Sequence, residues 1–313
     1  MPRNPIQFQP GLSLPDVLRQ YGREDQCWEA VHHARWPDGF VCPRCAGKRY
    51  SFPEPKKLFQ CSACGTQTSV RAGTIFHHSK LPLTTWFLGI YCRTQAKNSI
   101  AALELMRTLG VAYNTAWLMK QKLMQVMHER NQRTKLEGRI EMDDAYLGGE
   151  HEGKPGRGSE NKLPFLAAIE TREGRPQRLQ FRRVAAFSKQ AIAAYAKANI
   201  AAGSLIVSDG LDGFAAVKEA GCQHKPFVTS RVTNPQKLSI FLWVNTALGN
   251  LKNSIRGTFH AFSERHAERH LAEFEYRFNR RSDLAAMIPR LVRAAVTTEP
   301  RPYSWWVAAD ATG

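Results

Sequence analysis

Two cysteine pairs restrict most strongly what the first part of this chain can fold into. Cys42 and Cys45 form one CxxC motif, and Cys61 and Cys64 form a second motif 15 residues further on. Each motif presents two thiolates from one tight turn, and four thiolates satisfy the tetrahedral coordination of Zn²⁺. The spacing therefore predicts a zinc ribbon with these four cysteines as ligands, the alternative being four unrelated structural cysteines.

The remaining cysteines favour a metal site over a disulfide framework. The chain has seven cysteines, an odd number, and the other three are isolated in sequence. Proteins in a reducing compartment keep their thiols free, and tight cysteine pairs there are typical of metal sites. A glycine also follows each pair closely, Gly47 and Gly65, and glycine is favoured where such turns require left-handed backbone.

The overall charge indicates a polyanionic partner. The 313 residues include 44 Lys and Arg against 27 Asp and Glu, a formal net charge of +17, while 43% of residues are hydrophobic. A basic chain with enough apolar residues for a core is typical of nucleic-acid-binding proteins. No apolar run approaches the ~18 residues of a membrane span, and the N-terminus lacks the apolar stretch of a secretory signal. We therefore expect a cytoplasmic, DNA-associated protein with no membrane partner.

Composition and periodicity divide the chain into five segments. Residues 1–35 read as a helical lead-in and residues 36–75 as the zinc ribbon. The segment 80–131 has helical spacing, 137–282 alternates strands with helices, and 283–313 is a C-terminal tail. Within the fourth segment, the pattern predicts strands over 139–149, 164–172, 179–187 and 204–210. It predicts helices over 188–200, with Ser188 as the N-cap, and over 211–221, ended by Gly221. This order of elements predicts an α/β domain with a mixed sheet.

Residues 98–117 have the form of a helix-turn-helix. Gly110 lies in the expected turn, and the second helix would begin near Tyr113. We expect the DNA contacts to come from this second helix, through the side chains at its start and along its exposed face. These candidates are Tyr113, Asn114, Lys120 and Lys122. The alternative is an ordinary three-helix core with a solvated basic face.

The α/β segment contains three polar residues that stand out. Asp143 lies within the first predicted strand, Asp209 ends a short apolar strand, and Asn245 lies in a later helix with Lys252 seven residues after it. Carboxylates on different strands bind Mg²⁺, a hard ion that prefers oxygen ligands. Such ions activate a nucleophile and stabilise the leaving oxygen in phosphoryl displacement. Asn245 and Lys252 are two helical turns apart and so project from one face.

Two neighbouring acids compete for the same role. Strand alternation places Asp144 on the face opposite Asp143, so we expect only Asp143 to serve. Possible substitute ligands are Glu141, Glu264, Glu268, Glu273 and Glu275, most of which we interpret as solvated, ion-paired helix or strand positions. The Gly-rich basic segment from Gly148 to Lys162 is expected either to follow a DNA backbone or to be a solvated hairpin.

Several longer motifs resemble bacterial insertion-sequence transposases with an N-terminal zinc ribbon and a DDE-superfamily catalytic domain. The similarity covers roughly residues 25–285, and is greatest to the branch in which asparagine replaces the third acid and a lysine follows. The motifs that carry it are CPRC, CSAC, SVRAGTIF, MDDAYLGGE, GRGSENK, VSDG, WVNTALGNLK, GTFHAF and EFEYRFNRR.

The resemblance implies a ribonuclease-H-like catalytic domain preceded by the zinc ribbon and the helical region. It assigns Asp143 and Asp209 as catalytic acids, Asn245 to the third position and Lys252 as the trailing lysine. Asp143, Asp209 and Asn245 would bind catalytic Mg²⁺, or Mn²⁺ in its place, beside the structural Zn²⁺ of the ribbon. A neutral amide is a weaker Mg²⁺ ligand than a carboxylate, so one metal site should be looser.

The implied activity is DNA transposition. The protein would bind the terminal inverted repeats, hydrolyse each 3′ end and transfer the freed strand into target DNA, as a homo-oligomer on double-stranded DNA. Two alternatives remain open from the sequence: a non-catalytic regulator derived from a transposase, and a structure-selective nuclease of the same fold.

Overall fold

A computed structural model describes residues 6, 8–53, 57–96, 98–132, 134–148, 162–227, 240–259 and 263–308. The helices of these residues, in chain order, are α1 Leu14–Tyr21, α2 Glu24–Arg35, α3 Leu83–Gln95, α4 Ala102–Leu109, α5 Tyr113–Asn131, α6 Lys189–Asn199, α7 Leu242–Thr258, α8 Ala267–Asn279, α9 Met287–Thr297 and α10 Tyr303–Ala308. Short 3₁₀ helices span Asp212–Ala220 and Glu264–His266. The strands are β1 Tyr50–Ser51, β2 Phe59–Cys61, β3 Gln67–Thr68, β4 Arg139–Leu147, β5 Leu163–Arg172, β6 Arg175–Arg183, β7 Leu205–Asp209 and β8 Gln223–Phe227.

Two compact units make up the chain. One combines Met1–Met127 with Arg281–Ala309, and the other contains His128–Arg280 with Asp310–Gly313. The lead-in, ribbon and helical region that the sequence separates therefore lie in one unit. The expected C-terminal tail contains two helices, and α9 packs against α2 and α3 of this first unit.

The three short strands of the first unit form an antiparallel sheet in the order β1-β2-β3. Phe59 of β2 is 2% exposed and lies at the centre of an aromatic cluster. Its ring stacks on those of His32 and Phe40 and meets Trp36 edge-on. A small domain with little regular structure thus gains apolar burial beside its cysteines, which supplements the metal site.

The helix-turn-helix segment has the predicted boundaries. Gly110 ends α4 with a left-handed backbone (φ +64°), and α5 begins at Tyr113. Leu105 of α4 is fully buried. A glycine in this conformation ends a helix without the steric cost that a Cβ would add.

The second unit is built on a mixed five-stranded sheet in the order β6-β5-β4-β7-β8. β5 runs antiparallel to both of its neighbours, β4 and β6, whereas β7 runs parallel to β4, and β8 runs parallel to β7. Helices cover both faces, which gives three layers. The predicted fold class is therefore confirmed: a ribonuclease-H-like mixed-sheet α/β domain preceded by a zinc ribbon and a helical region.

Side-chain alternation along the central strands creates two separate cores. Ala145 and Leu147 of β4 face one core together with Val244, Leu248 and Leu251 of α7. The intervening positions of β4, Ile140 and Met142, face the other core, which contains residues of α6 and of the first 3₁₀ helix. The face that carries odd-numbered residues of β4 is thus the face covered by α7.

Several local predictions need adjustment. The strand expected over 179–187 is β6, which begins at Arg175 because it directly follows a tight turn at Glu173 and Gly174, both with positive φ. It ends at Arg183, four residues earlier than expected. The helix expected over 211–221 is a 3₁₀ helix that ends at Gly221 (φ +72°). Ser188 caps α6 as predicted, since its hydroxyl accepts a hydrogen bond from Ala191 N.

Candidate functional site

Asp143 and Asp209 occupy equivalent places on two neighbouring parallel strands. Met142 of β4 pairs with Ser208 of β7, and each aspartate lies one position beyond that pair. Both residues have the parity of the side chains that face α7, since Val207 joins Ala145 in the same core. Residues 66 positions apart in sequence are thereby placed side by side on one face.

The two aspartates form an acidic cluster together with Asp144. One carboxylate oxygen from each of the three residues lies within 4.8 Å of the others, and all three residues are half-buried. The expectation that strand alternation removes Asp144 from the site is therefore wrong. Alternation fixes the direction of the Cα–Cβ bond, whereas the carboxylate oxygens lie two bonds further on, and β7 ends at this point, with Asp209.

Local hydrogen bonds orient two of the carboxylates. Asp143 Oδ1 accepts a hydrogen bond from Asp144 N at 3.0 Å. Asp209 Oδ1 accepts one from Leu211 N, also at 3.0 Å, in the turn that follows β7. Each bond fixes the orientation of one carboxylate oxygen.

The donor set suits a divalent cation with oxygen ligands. Three carboxylates this close repel one another unless a cation or protons compensate their charge. Mg²⁺ binds through one or two protein carboxylates while it retains several waters. Asp143, Asp144 and Asp209 are thus the residues that would hold such an ion.

Asn245 and Lys252 lie on α7, the helix that covers the face of Asp143 and Asp209. Val244, Leu248 and Leu251 form the buried stripe of this helix, and both polar residues are exposed. At 100° per residue, Asn245 and Lys252 fall on one side of that stripe, at its margin. The roles assigned to them remain predictions.

Glu141 is buried rather than solvated, contrary to the expectation from sequence. It lies two residues before Asp143 on the same face of β4 and is 1% exposed. Oε1 accepts a hydrogen bond from Arg139, and Oε2 accepts hydrogen bonds from Trp243 N and Val244 N of α7. Both oxygens are engaged, so Glu141 is not a free substitute ligand of the metal site.

The four cysteines of the ribbon form a second cluster. All four Sγ atoms lie within 4.8 Å of one another, with 3.7 Å between Cys42 and Cys64 and 3.6 Å between Cys45 and Cys61. Four sulfurs at a Zn–S distance of ~2.3 Å on a tetrahedron are ~3.8 Å apart. The spacing therefore fits tetrahedral Zn²⁺ and is too long for a disulfide bond.

The two cysteine motifs share one backbone geometry. Ala46 N donates to Cys42 O, and Gly65 N donates to Cys61 O, both at 2.9 Å. Ala46 and Gly65 have φ angles of +58° and +69°. The left-handed position was expected at Gly47 but lies one residue earlier, at Ala46.

Hydrogen bonding favours the thiolate form at the second motif. The Thr66 hydroxyl lies 3.2 Å from Cys64 Sγ and, with the Thr66 backbone, lowers the pKa of Cys64 to about 6. Backbone N–H groups of Cys64 and Ala63 lower the pKa of Cys61. Thiolates are the form that ligates Zn²⁺.

The four residues predicted to contact DNA separate into two pairs. Tyr113 and Asn114 are exposed at the start of α5, where a contact with a groove is possible sterically. Lys120 and Lys122 are only 6% and 9% exposed, and Lys122 Nζ donates to the Ile75 carbonyl at 3.0 Å. Burial also lowers the pKa of Lys122. The expectation that these two lysines reach phosphates is therefore corrected, since both side chains are buried.

Two further expectations concern regions or properties outside the site. The Gly-rich basic segment lies outside the described residues between Gly148 and Lys162. Among the helices that the structure describes, none combines the length and apolar character required to traverse a lipid bilayer.

Two family models match the chain. Residues 135–279 match the ISXO2-like transposase domain, and residues 22–67 match the transposase zinc-ribbon domain. The first match contains the acidic cluster together with Asn245 and Lys252, and the second contains all four ribbon cysteines. The longer of the two matches spans just under half of the chain.

Individual proteins are also similar to this chain. An uncharacterized protein in transposable element ISH50 of Halobacterium salinarum (strain ATCC 700922 / JCM 11081 / NRC-1) is 28% identical over 175 residues, which is 50% of this chain and 58% of that protein. A chain in the crystal structure of the Mos1 strand transfer complex is 9% identical with a TM-score of 0.22, and the match covers 63% of this chain and 76% of that chain. The pre-cleavage Mos1 transpososome (8% identity, TM-score 0.21) covers 67% and 78%.

Proposed function

We propose that this chain, which matches the models of the transposase zinc-ribbon and ISXO2-like domains, is the DNA transposase of an insertion sequence. It would hydrolyse a phosphodiester at each 3′ end of the element and transfer the freed 3′ strand into target DNA. The observation that carries the proposal is the convergence of Asp143, Asp144 and Asp209 within 4.8 Å from two neighbouring strands.

The acidic cluster gives each nearby residue a distinct task. Divalent ions bound by the carboxylates would supply Lewis-acid activation of water or of a 3′ hydroxyl. Asp143 and Asp209 hold the ions, Asp144 adds a third negative charge, and the amide oxygen of Asn245 completes the oxygen ligands. Lys252, an exposed cation on the same side of α7 as Asn245, binds a phosphate next to the scissile bond.

Asp144 also compensates for the negative charge that the metal site lacks because Asn245 is neutral. A site with Asp143, Asp209 and Asn245 alone has two negative charges, one fewer than a site with three acids. The carboxylate of Asp144 restores the third charge from the adjacent position of β4. Ligand charge strongly influences the affinity of oxygen sites for divalent cations.

DNA binding would depend on the first unit and on overall charge. The ribbon, with Tyr113 and Asn114 of α5, would contact the terminal inverted repeats, and the net charge of +17 attracts the phosphate backbone. Joining two element ends requires at least two copies of the chain. We therefore infer a homo-oligomer assembled on double-stranded DNA.

A cleavage and strand-transfer assay tests this function. The full chain is mixed with Mg²⁺ or Mn²⁺ and with DNA that carries the sequences flanking its gene. We expect wild type to cut the 3′ ends and join them to target DNA, and Asp209→Ala to bind the DNA without cutting. Asp212→Ala is the matched control, because Asp212 is an exposed acid three residues away that pairs with Lys189.

The same assay separates the alternatives. Binding by wild type without any cleavage would indicate a regulator derived from a transposase. Cleavage of branched DNA without joining of ends would indicate a structure-selective nuclease. Activity that survives Asp209→Ala would show that the acidic cluster is not the catalytic centre.

A further inference from the structure

The first turn of α7 lacks a capping residue of its own. Phe241 precedes the helix and provides no side-chain hydrogen bond. The first N–H groups of an α-helix have no acceptor within the helix and need one from elsewhere. In most helices a Ser, Thr, Asp or Asn at the N-cap accepts from the second or third N–H.

Glu141 performs this task from a different element. Its Oε2 accepts from Trp243 N at 2.9 Å and from Val244 N at 3.0 Å, which are the second and third residues of α7. A carboxylate at a helix N-terminus is additionally stabilised by the helix dipole. These contacts fasten the helix to β4 through a side chain that is 1% exposed.

Arg139 completes the attachment from the same strand. Its guanidinium donates to Glu141 Oε1 at 2.9 Å and to the Ile240 carbonyl at 3.2 Å. It also donates to the Thr171 hydroxyl of β5 at 2.9 Å. The polypeptide entering α7 is therefore held on both sides of its first turn, and Arg139 compensates the buried charge of Glu141.

The attachment lies next to the acidic cluster. Glu141 and Asp143 are two residues apart on one face of β4, a separation of about 7 Å along a strand. Asn245 is the residue directly after Val244. The strand that carries Asp143 thus holds the turn that carries Asn245, and Lys252 follows on the same rigid helix.

We propose that Glu141 is a positioning residue that sets the place of Asn245 and Lys252 relative to Asp143. The tasks of Asn245 and Lys252 rest on the proposed function, whereas the attachment of α7 to β4 does not. Catalytic groups require placement to well under 1 Å, and a buried charge-assisted pair of hydrogen bonds provides such placement.

The attachment is tested by amide hydrogen exchange. In wild type, Trp243 N and Val244 N should exchange slowly although they lie in the first turn, since Glu141 is their acceptor. In Glu141→Met, which keeps a similar volume, we expect these two amides to exchange about tenfold faster or more. Glu141→Gln retains an acceptor oxygen and should restore part of the protection.

Glu170→Met is the matched control. Glu170 is another buried acid of the same sheet, 4% exposed and paired with Arg178, but it contacts no residue of α7 in the described contacts. This variant should leave the exchange of Trp243 N and Val244 N unchanged. Unchanged exchange of both amides in Glu141→Met would overturn the attachment, and if that variant fails to fold, Glu141→Gln is judged by the same criterion.

The effect on chemistry is tested by a double-mutant cycle. On wild type and on Glu170→Met, Asn245→Ala should lower the cleavage rate by the same factor. On Glu141→Met, where the rate is already reduced at unchanged DNA affinity, the factor should be smaller, because coupled residues are non-additive. If Glu141→Met and Asn245→Ala together lower the rate by the product of their separate factors, the two residues act independently and the positioning role is overturned. If wild type cuts no DNA at all, the proposed function fails, and hydrogen exchange still decides the attachment.

Discussion

At the residue scale, the position of Asp144 shows the limit of a rule that otherwise serves well. Strand alternation assigns the two cores of the sheet correctly, since Ala145 and Leu147 face α7 while Ile140 and Met142 face the opposite layer. It fails for Asp144, whose carboxylate oxygens lie two bonds beyond Cβ and at the point where β7 ends. A periodicity in sequence does not contain the length of a neighbouring strand.

Replacement of Asp144 tests whether it shares in metal binding. Asp144→Asn keeps the volume and removes one negative charge, so we expect Mn²⁺ to bind about tenfold more weakly or worse than to wild type. Isothermal titration calorimetry measures this affinity. The control is Asp212→Asn, which removes an exposed acid of the same unit and should leave the affinity for Mn²⁺ unchanged. If Asp144→Asn also leaves this affinity unchanged, Asp144 is not part of the metal site.

At the scale of elements, most strands and helices follow from local sequence, but their mutual attachments do not. Gly110, Gly221 and Ser188 mark helix ends where the sequence predicts them. By contrast, α3 and α7 have no side-chain caps of their own and receive one from a glutamate elsewhere: Glu24 accepts from Leu83 N and Thr84 N, and Glu141 accepts from α7. Such partners are 59 and more than 100 residues away, so no short-range pattern reveals them.

The conformation of Gly110 gives a prediction of opposite signs at two glycines. No atom lies within 4 Å of a Cβ built on Gly110 or on Gly249, so neither substitution by alanine causes a clash. Gly110 has φ +64°, and Gly110→Ala should destabilise the protein by about 1 kcal/mol. Gly249 lies at an exposed position in the middle of α7, and Gly249→Ala should stabilise the protein by up to about 1 kcal/mol.

Urea denaturation of the two variants measures these changes. The free energy of unfolding should fall for the first and rise for the second. A loss of stability in both variants would contradict the assigned helical role of Gly249, and no loss in Gly110→Ala would contradict the left-handed turn.

The ribbon is the element whose fold depends most on a ligand. β1 and β3 have two residues each, too few for an independent sheet. We expect one zinc ion per chain in the purified protein, and Cys61→Ser should lose both the zinc and the protection of the β2 amides against exchange, because metal affinity and folding are linked. Metal analysis with hydrogen exchange measures both.

Cys222→Ser provides the comparison, since Cys222 is a buried cysteine of the other unit. It should retain the zinc. Full zinc content in Cys61→Ser would contradict the assignment of the four ligands.

At the scale of the whole molecule, the distribution of basic residues matters more than their total. The sequence supplies a net charge of +17 and a helix-turn-helix pattern, and both point to DNA. The structure shows that Lys120 and Lys122 contribute no surface charge there, because the length of α5 carries them into the core of the first unit. Helical periodicity does not reveal this, since nine consecutive residues of α5 from Met119 to Met127 are buried and the helix has no solvated basic face at that point.

Salt dependence distinguishes binding through phosphates from binding through other contacts. A protein that neutralises several phosphates releases condensed counterions, so the logarithm of its affinity falls linearly with the logarithm of the salt concentration. The measurement uses Asp209→Ala, which should bind DNA without cutting it. Between 50 and 200 mM salt, we expect the affinity of this variant for DNA to fall by about 10³-fold or more, as for six or more phosphate contacts. Fluorescence anisotropy with a labelled duplex measures the slope.

The two buried lysines are tested by the same measurement. Lys120→Met and Lys122→Met, if folded, should leave the slope unchanged, whereas replacement of an Arg or Lys that contacts a phosphate would reduce it by about one. A reduced slope in either lysine variant would show that the lysine is not buried in the state of the protein that binds DNA.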